Sequence, residues 1–125
     1  MTGSSRYRDV CLVRLAAGIT GYSLGLPSEA ILNGGQREHR ITRARQIAMY
    51  LSHVVLGMSL ARIASATGRD RSTVAYGCHR IEDFREDPAI DLWLEDLEVR
   101  LRGAASIKIG MRVPSPPPIE PQQLT

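Results

Sequence analysis

Five consecutive residues, Arg69-Asp70-Arg71-Ser72-Thr73, gather most of the hydrogen-bonding chemistry that this 125-residue chain concentrates in one place. A guanidinium presents a planar fork of N–H donors that fits two acceptors side by side, on a phosphate or on the O6 and N7 edge of guanine. A carboxylate accepts from the cytosine amine, a serine or threonine hydroxyl does either, and the threonine methyl packs on that of thymine. Taken alone, Asp70 also reads as a helix cap whose side chain bonds the first free amides. Taken together, the five are a set that addresses base edges and phosphates. Catalytic sets are missing. No nucleophile, base and orienting group can be assembled, and Cys78 and His79 are sequence neighbours that point apart on a helix. Cys11 and Cys78 form neither a CxxC pair nor a metal-spaced cluster with His39, His53 or His79. Both are expected to be buried free thiols, and neither enzyme activity nor any metal or cofactor is expected.

The elements around these residues fit that role. Ser59 to Ile81, SLARIASATGRDRSTVAYGCHRI, reads as a short helix, a turn on Gly68 and a second helix. Ser59 caps the first helix, Ala64 is small enough for a close crossing, and Gly68 supplies the left-handed turn four residues later. Val74, Cys78 and Ile81 bury one face of the second helix, leaving its start projecting. Upstream, Tyr7 to Thr20 predicts a helix ending near Gly18 or Gly21, and Pro27-Ser28-Glu29 opens one or two turns stopped by Asn33-Gly34-Gly35. After the polar loop QREHRI (Gln36 to Ile41), Thr42 is the expected cap of a long helix ending at Gly57. Ala44, Ile47, Ala48, Leu51, Val54 and Val55 give that helix a buried face. Arg43 and Arg45 near its start oppose the helix dipole, at about 0.3–1 kcal/mol each, which favours an anion at that end. Asp87-Pro88 begins a last helix with Ile90, Trp93, Leu94, Leu97 and Leu101 on one stripe, ending at Gly103. Trp93 is expected to anchor the core. The fold class is all-α, a bundle of five to six helices containing a helix-turn-helix. Residues 1–6 are expected to be a flexible terminus, 7–103 the domain, and 104–125 a disordered Pro-rich tail.

Charge distribution supports a polyanionic partner. From Arg37 to Arg85 nine arginines face four acids, a net of +5, whereas Glu86 to Arg102 carries six acids and two arginines, a net of −4. Fifteen of the sixteen basic residues are Arg, which a high-GC genome would also produce. There is no signal-peptide pattern and no uninterrupted apolar run of about 18 residues, so a cytoplasmic, nucleoid-associated protein without membrane contact is expected.

Two blocks, RARQIAMYL (Arg43 to Leu51) and GRDRSTV (Gly68 to Val74), resemble the C-terminal DNA-binding domain of the bacterial replication initiator DnaA, with SLARIA, Cys78 and HRIE (His79 to Glu82) in step. The resemblance covers about Tyr7 to Gly103. It implies a DnaA domain IV-like, TrpR-like bundle that binds a short duplex box. By that resemblance Asp70, Arg71, Ser72 and Thr73 enter the major groove beside Arg69, and Arg37 in the basic loop reaches the minor groove. Arg45 and Gln46 match backbone-contacting positions, as do Leu60 and Ala61 through their helix start, and Arg80 matches a basic position that reaches phosphate. Four departures stand out: Arg71 replaces the family's usual His, Ser72 its first Thr, Gly68 its double glycine and Ala61 a common proline. Arg71 and Ser72 therefore shift the expected box preference.

No GxxxxGK[ST] loop occurs, and a chain of this length has no room for the family's ATPase module. The expected protein reads double-stranded DNA without a nucleotide, at DnaA-box-like sites, in control of replication initiation or of transcription. A weak homodimer or clustered sites would strengthen a single small module. The alternative is a protein-interaction module that kept the fold and lost specific DNA reading.

Overall fold

The structure, a computed structural model, describes residues 2–34 and 38–108. Six helices follow one another: α1 (Thr2–Leu24), α2 (Ser28–Leu32), α3 (His39–Val54), α4 (Leu60–Thr67), α5 (Arg71–Phe84) and α6 (Pro88–Lys108). No strand occurs among the described residues, so the expected all-α bundle is present.

Two helices form its centre. α1 packs on α2, α3, α4 and α6, through Leu12, Val13, Ala16 and Ala17, all essentially inaccessible to water. α3 lies between α1 and α5, and every residue from Ala44 to Ser52 is buried. A helix buried on one face is stabilised mainly by that face, but α3 is enclosed almost all round, so even its polar positions are drawn inside. Ile63, Val74, Ile81, Leu94, Leu97 and Leu101 complete the core from α4, α5 and α6. Trp93 packs against this core half-buried, as its pattern predicts, and its Nε1 donates to Ser23 Oγ at 3.0 Å.

Several helix ends differ from those the local sequence predicts, each time because tertiary burial outweighs local propensity. α1 continues through Gly18 and Gly21 and turns only at Gly25, where φ is +70°. Glycine in a helix costs about 1 kcal/mol relative to alanine, which the buried stripe through Ala16, Ala17 and Thr20 offsets. Residues 2–6, expected to be a flexible terminus, belong to α1. The buried Asp9 carboxylate accepts from Arg62 Nε at 3.1 Å, which fixes this end of α1 on α4. α3 starts at His39 with Glu38 as N-cap, not at Thr42; Ile41, 4% exposed, holds the extra turn in place. α6 runs past Gly103 to Lys108 because Leu101 and Ala105 bury the same face on either side of that glycine. The expected end of this helix at Gly103 therefore moves to Lys108, and residues 109–125 of the Pro-rich tail lie outside the described residues. Cys78 is buried, whereas Cys11, also expected inside, is half-buried.

Candidate nucleic-acid interface

The turn between α4 and α5 is built as its sequence requires. Ser59 Oγ accepts from the amide of Arg62 at 3.1 Å and caps α4. Gly68 takes φ +68°, and the Arg69 amide donates back to the Ala64 carbonyl at 3.0 Å, closing the C-terminus of α4. Val74, fully buried, anchors the inner side of α5. Asp70 occupies the N-cap position with extended backbone and its carbonyl accepts from the Val74 amide, but its carboxylate makes no capping bond. The capping role expected for its side chain is thus not taken up. Asp70, Arg71, Ser72 and Thr73 are all exposed at the projecting end of α5. Ala61 is exposed at the start of α4, and Leu60 beside it is half-buried.

Arg45 and Gln46 are not surface groups. Arg45 is 7% exposed and its Nε donates to the Ile31 carbonyl at 2.7 Å. Its Nη2 is buried without a protein partner among the described residues, and so is the Nε of the half-buried Arg69. Burial, and then the charge of Arg69, lower the Arg45 pKa. Gly34 closes the third side: a Cβ there would collide with both guanidinium groups. An unmade hydrogen bond to a buried charged donor costs about 1–3 kcal/mol or more. Two such donors on adjacent like charges therefore mark a point of unanswered positive charge where α3 meets the turn before α5. Arg37, the position assigned to the minor groove, lies outside the described residues, close in sequence to this pocket.

Gln46, 9% exposed, turns inward and its Oε1 accepts from Arg43 Nη1 at 3.0 Å. It lies at the crossing of α3 and α5, where a Cβ added at Gly77 would stand 3.1 Å from Gln46 Cγ. In this structure the Gln46 amide oxygen is thus engaged by Arg43, within the chain. Arg80 is half-buried with its guanidinium over the Phe84 ring. The sequence marks Arg43 only as a cation favouring an anion near the start of α3, and it does not mark Gly34. Arg43's signals are that charge and its place at the head of the RARQ block, while nothing local marks Gly34.

Ion pairing separates the arginines into two groups. Arg62 pairs with Asp9, Arg100 with Asp96, and Arg85 with both Asp91 and Glu98. The other ten described arginines have no carboxylate partner among the described residues; five of them, Arg43, Arg45, Arg69, Arg71 and Arg80, lie on α3, on α5 and in the turn before it. The acids of α6 engage Arg85 and Arg100 and leave the positive charge around α3 and α5 uncompensated. No cluster of three or more His, Cys, Asp or Glu able to hold a metal occurs among the described residues, and no helix there is long and apolar enough to cross a membrane.

Known proteins resemble this chain in sequence and in fold. Residues 20–81 match the family described as bacterial DnaA protein helix-turn-helix. The chain is 41% identical over 59 residues to the chromosomal replication initiator protein DnaA 2 of Chlamydia trachomatis, covering 47% of this chain and 13% of that protein. It is 44% identical over 55 residues to the DnaA initiator of Lachnoclostridium phytofermentans, covering 42% and 12%. A crystal structure of a DNA replication initiation factor superposes with TM-score 0.70 at 25% identity, covering 80% of this chain and 31% of that one. The chain thus spans only a small fraction of these initiators, and it matches their helix-turn-helix portion. Residues 20–81 are a bacterial DnaA-type helix-turn-helix.

Proposed function

We propose that this DnaA-type domain binds double-stranded DNA sequence-specifically, at sites related to the boxes of the initiator, and so regulates replication initiation or transcription. The observation that carries this is the start of α5: four exposed polar side chains follow the Gly68 turn, and the Asp70 carboxylate is uncommitted to its own helix. In this reading α5 enters the major groove from its N-terminal end, with Arg71 forked onto a guanine and Ser72 and Thr73 on neighbouring edges. The Arg45–Arg69 pocket takes a backbone phosphate, because its orphaned donors are satisfied by an anion. Leu60 and Ala61 bring the start of α4 against the sugar-phosphate chain. No step needs a nucleotide, a metal or a catalytic residue.

The test is selection of preferred duplexes from a random pool by the purified chain, followed by titration of the best duplex against a scrambled one. A specific reader enriches a short asymmetric site and prefers it by at least about tenfold at physiological salt. Equal affinity for both duplexes under those conditions refutes it and favours the protein-interaction alternative.

A further inference from the structure

The apolar surface shared by α3, α5 and α6 stays open at one place. Phe84, Ile90 and Trp93, all half-buried, line a cavity of about 200 Å³ together with the buried Ile81 and Leu94, and Arg43 is the one charged residue on its wall. Trp93 also borders a second cavity, of about 380 Å³ between α1 and α6, which it shares with the exposed Tyr22. Its Nε1 donates to Ser23 Oγ at 3.0 Å, so the indole is held where the two cavities adjoin.

These walls select their occupant. Sites that enclose a small molecule or cofactor run to about 300–1,000 Å³; the smaller cavity falls below that and suits one branched aliphatic side chain. Beside it, the Arg43 guanidinium carbon is 4.2 Å from the centre of the Phe84 ring, with Nη1 on Gln46 Oε1. Stacking leaves the remaining edge N–H groups for a carboxylate, and none among the described residues takes them. Aromatic rings such as Tyr22 and Trp93 are what proline-rich segments dock on, since an extended proline chain costs little entropy to order.

The chain itself carries that combination. Residues 109–125, which lie outside the described residues, hold five of the seven prolines of the sequence and a single acid, Glu120, directly after Ile119. Their reach fits as well. Trp93 precedes Lys108, the last residue of α6, by fifteen positions, about 22 Å along the helix, and Ile90 is about 27 Å from that end. A tail turned back at Gly110 and extended at about 3.1 Å per residue covers about 25 Å between Met111 and Ile119. Ile119 then reaches the level of the smaller cavity, with Glu120 next to it and Pro116 to Pro118 alongside Trp93.

We propose that the segment from Pro114 to Pro121 folds back along α6 of the same molecule, with its prolines on Trp93 and Tyr22, Ile119 in the cavity beside Phe84 and Ile90, and Glu120 paired with Arg43. The docked tail closes the open apolar surface of the bundle and answers the charge of Arg43. Asp70, Arg71, Ser72 and Thr73 border neither cavity, so the contact stands apart from DNA reading and does not depend on it.

Trp93 is the sole tryptophan of the chain, and its emission reports on the groove directly. The experiment is acrylamide quenching of the full chain and of its I119D, E120Q, R43Q and E120Q/R43Q variants, each checked for its helical circular dichroism. I119D is expected to raise the quenching constant roughly twofold and to shift emission to the red, because the indole loses apolar cover. E120Q and R43Q each give a smaller rise, and the double variant no more than either, because the two residues share one contact. A linker this short gives an effective concentration on the order of 1 mM, so a contact with a Kd of about 0.1 mM keeps the tail about nine-tenths docked. A synthetic peptide of residues 113–125 should accordingly restore shielding to I119D with a Kd of about 0.1 mM. Equal quenching in the wild type, I119D and E120Q overturns the proposal, as does a peptide that leaves I119D unshielded. Shielding independent of protein concentration supports docking within one molecule; shielding that grows with concentration assigns the groove to the tail of a second copy and overturns it.

Discussion

Replacing Arg45 by methionine separates the demands of folding from those of binding. In a protein where Arg45 is a structural strut, its loss removes a charged hydrogen bond to the Ile31 carbonyl, made at 2.7 Å. Breaking a buried charged contact and leaving its partner unpaired costs about 3–5 kcal/mol. Here Ile31 offers a neutral carbonyl, and the net value of a bond from a charged donor is about 1.5–3 kcal/mol. On the other side, the substitution removes a guanidinium that is 7% exposed, with Nη2 unpaired and Arg69 alongside. Uncompensated burial of a charge carries an effective penalty of several kcal/mol, and methionine fills the stem volume with no polar atom. These terms nearly cancel, so Arg45→Met is expected to leave the free protein within about 1 kcal/mol of the wild type, or within about 4–8 °C in Tm for a domain of this size. DNA affinity should nevertheless fall on every sequence alike, with a shallower salt dependence. Inorganic phosphate should protect the wild type against unfolding more than the variant, since an anion bound only by the folded state stabilises it by mass action. Thermal and urea unfolding with and without phosphate, beside anisotropy titrations, measure all three. A variant destabilised by more than about 3 kcal/mol, yet binding DNA normally once folded, would falsify the assignment of this pocket to an anion.

Three further outcomes are expected. Arg71→Ala should relax sequence preference at one position, costing about 1–3 kcal/mol on the selected duplex and little on a scrambled one; a uniform loss in parallel titrations would instead make Arg71 a phosphate contact. Arg85 donates to Glu98 at 2.7 Å and to Tyr50 at 3.0 Å, and pairs with Asp91, tying the end of α5 to α6 and α3. Burial alone would lower its pKa, but those hydrogen bonds and the Glu98 charge raise it overall. Arg85→Ala should thus cost about 2 kcal/mol in urea unfolding by stranding Glu98, with DNA affinity of the folded protein unchanged. Burial, helped by Glu82, pushes the Cys78 thiol from 9.0 up to about 11. A thiol is neutral when protonated, so its folded-state preference is complete below pH 9 and is lost as pH rises toward 11, by at most about 2.7 kcal/mol. Cys78→Ala should flatten that alkaline loss in unfolding measured between about pH 8 and 10.5; an equally steep loss in the variant would assign it to other groups.

What the sequence revealed was periodic and local. Four of the six inward positions expected of α3 (Ala44, Ile47, Ala48 and Leu51), the Gly68 turn, the Ser59 cap and the Asp87-Pro88 start are patterns within one or two turns that appear as expected, whereas Val54 is exposed at the last residue of α3 and Val55 is half-buried beyond it; Asp87 Oδ1 accepts from the Ala89 amide at 2.9 Å. What it concealed depends on neighbours distant along the chain. Gly18, Gly21 and Gly103 look like stops until α1 and α6 are seen to be buried on either side of them. The RARQ block looks like a basic surface because Arg and Gln are usually exposed. α3 is enclosed from Ala44 to Ser52, so Arg45 and Gln46 face inward and only Arg43 is left to carry charge outward. No local rule distinguishes the three, because the distinction is made by α5 crossing at Gly77 and by the Gly34 loop closing over Arg45. Asp70 erred the other way: its type favours capping, yet its side chain stays free.

The abundance of arginine admitted two explanations, a codon bias or a polyanionic partner, and composition alone could not choose between them. Position does. A bias in codon usage sets how many arginines a chain has, but it does not decide which of them meet a carboxylate. Along α6 the acids engage Arg85 and Arg100, and Asp9 engages Arg62, so each of those charges is answered within the fold. Around α3 and the start of α5 the reverse holds. Arg45 and Arg69 keep buried donors unmade, and Arg43 and Arg80 share one ring. Satisfying them internally would have needed only an acid at an adjacent surface position, and six acids lie between Glu86 and Arg102. Five arginines without a carboxylate partner among the described residues thus lie on α3, on α5 and in the turn before it, where like charges would repel until phosphates separate them. That arrangement adds to the case for a DNA partner beside the likeness to the initiator, because the buried unmade donors of Arg45 and Arg69 are not a matter of arginine number.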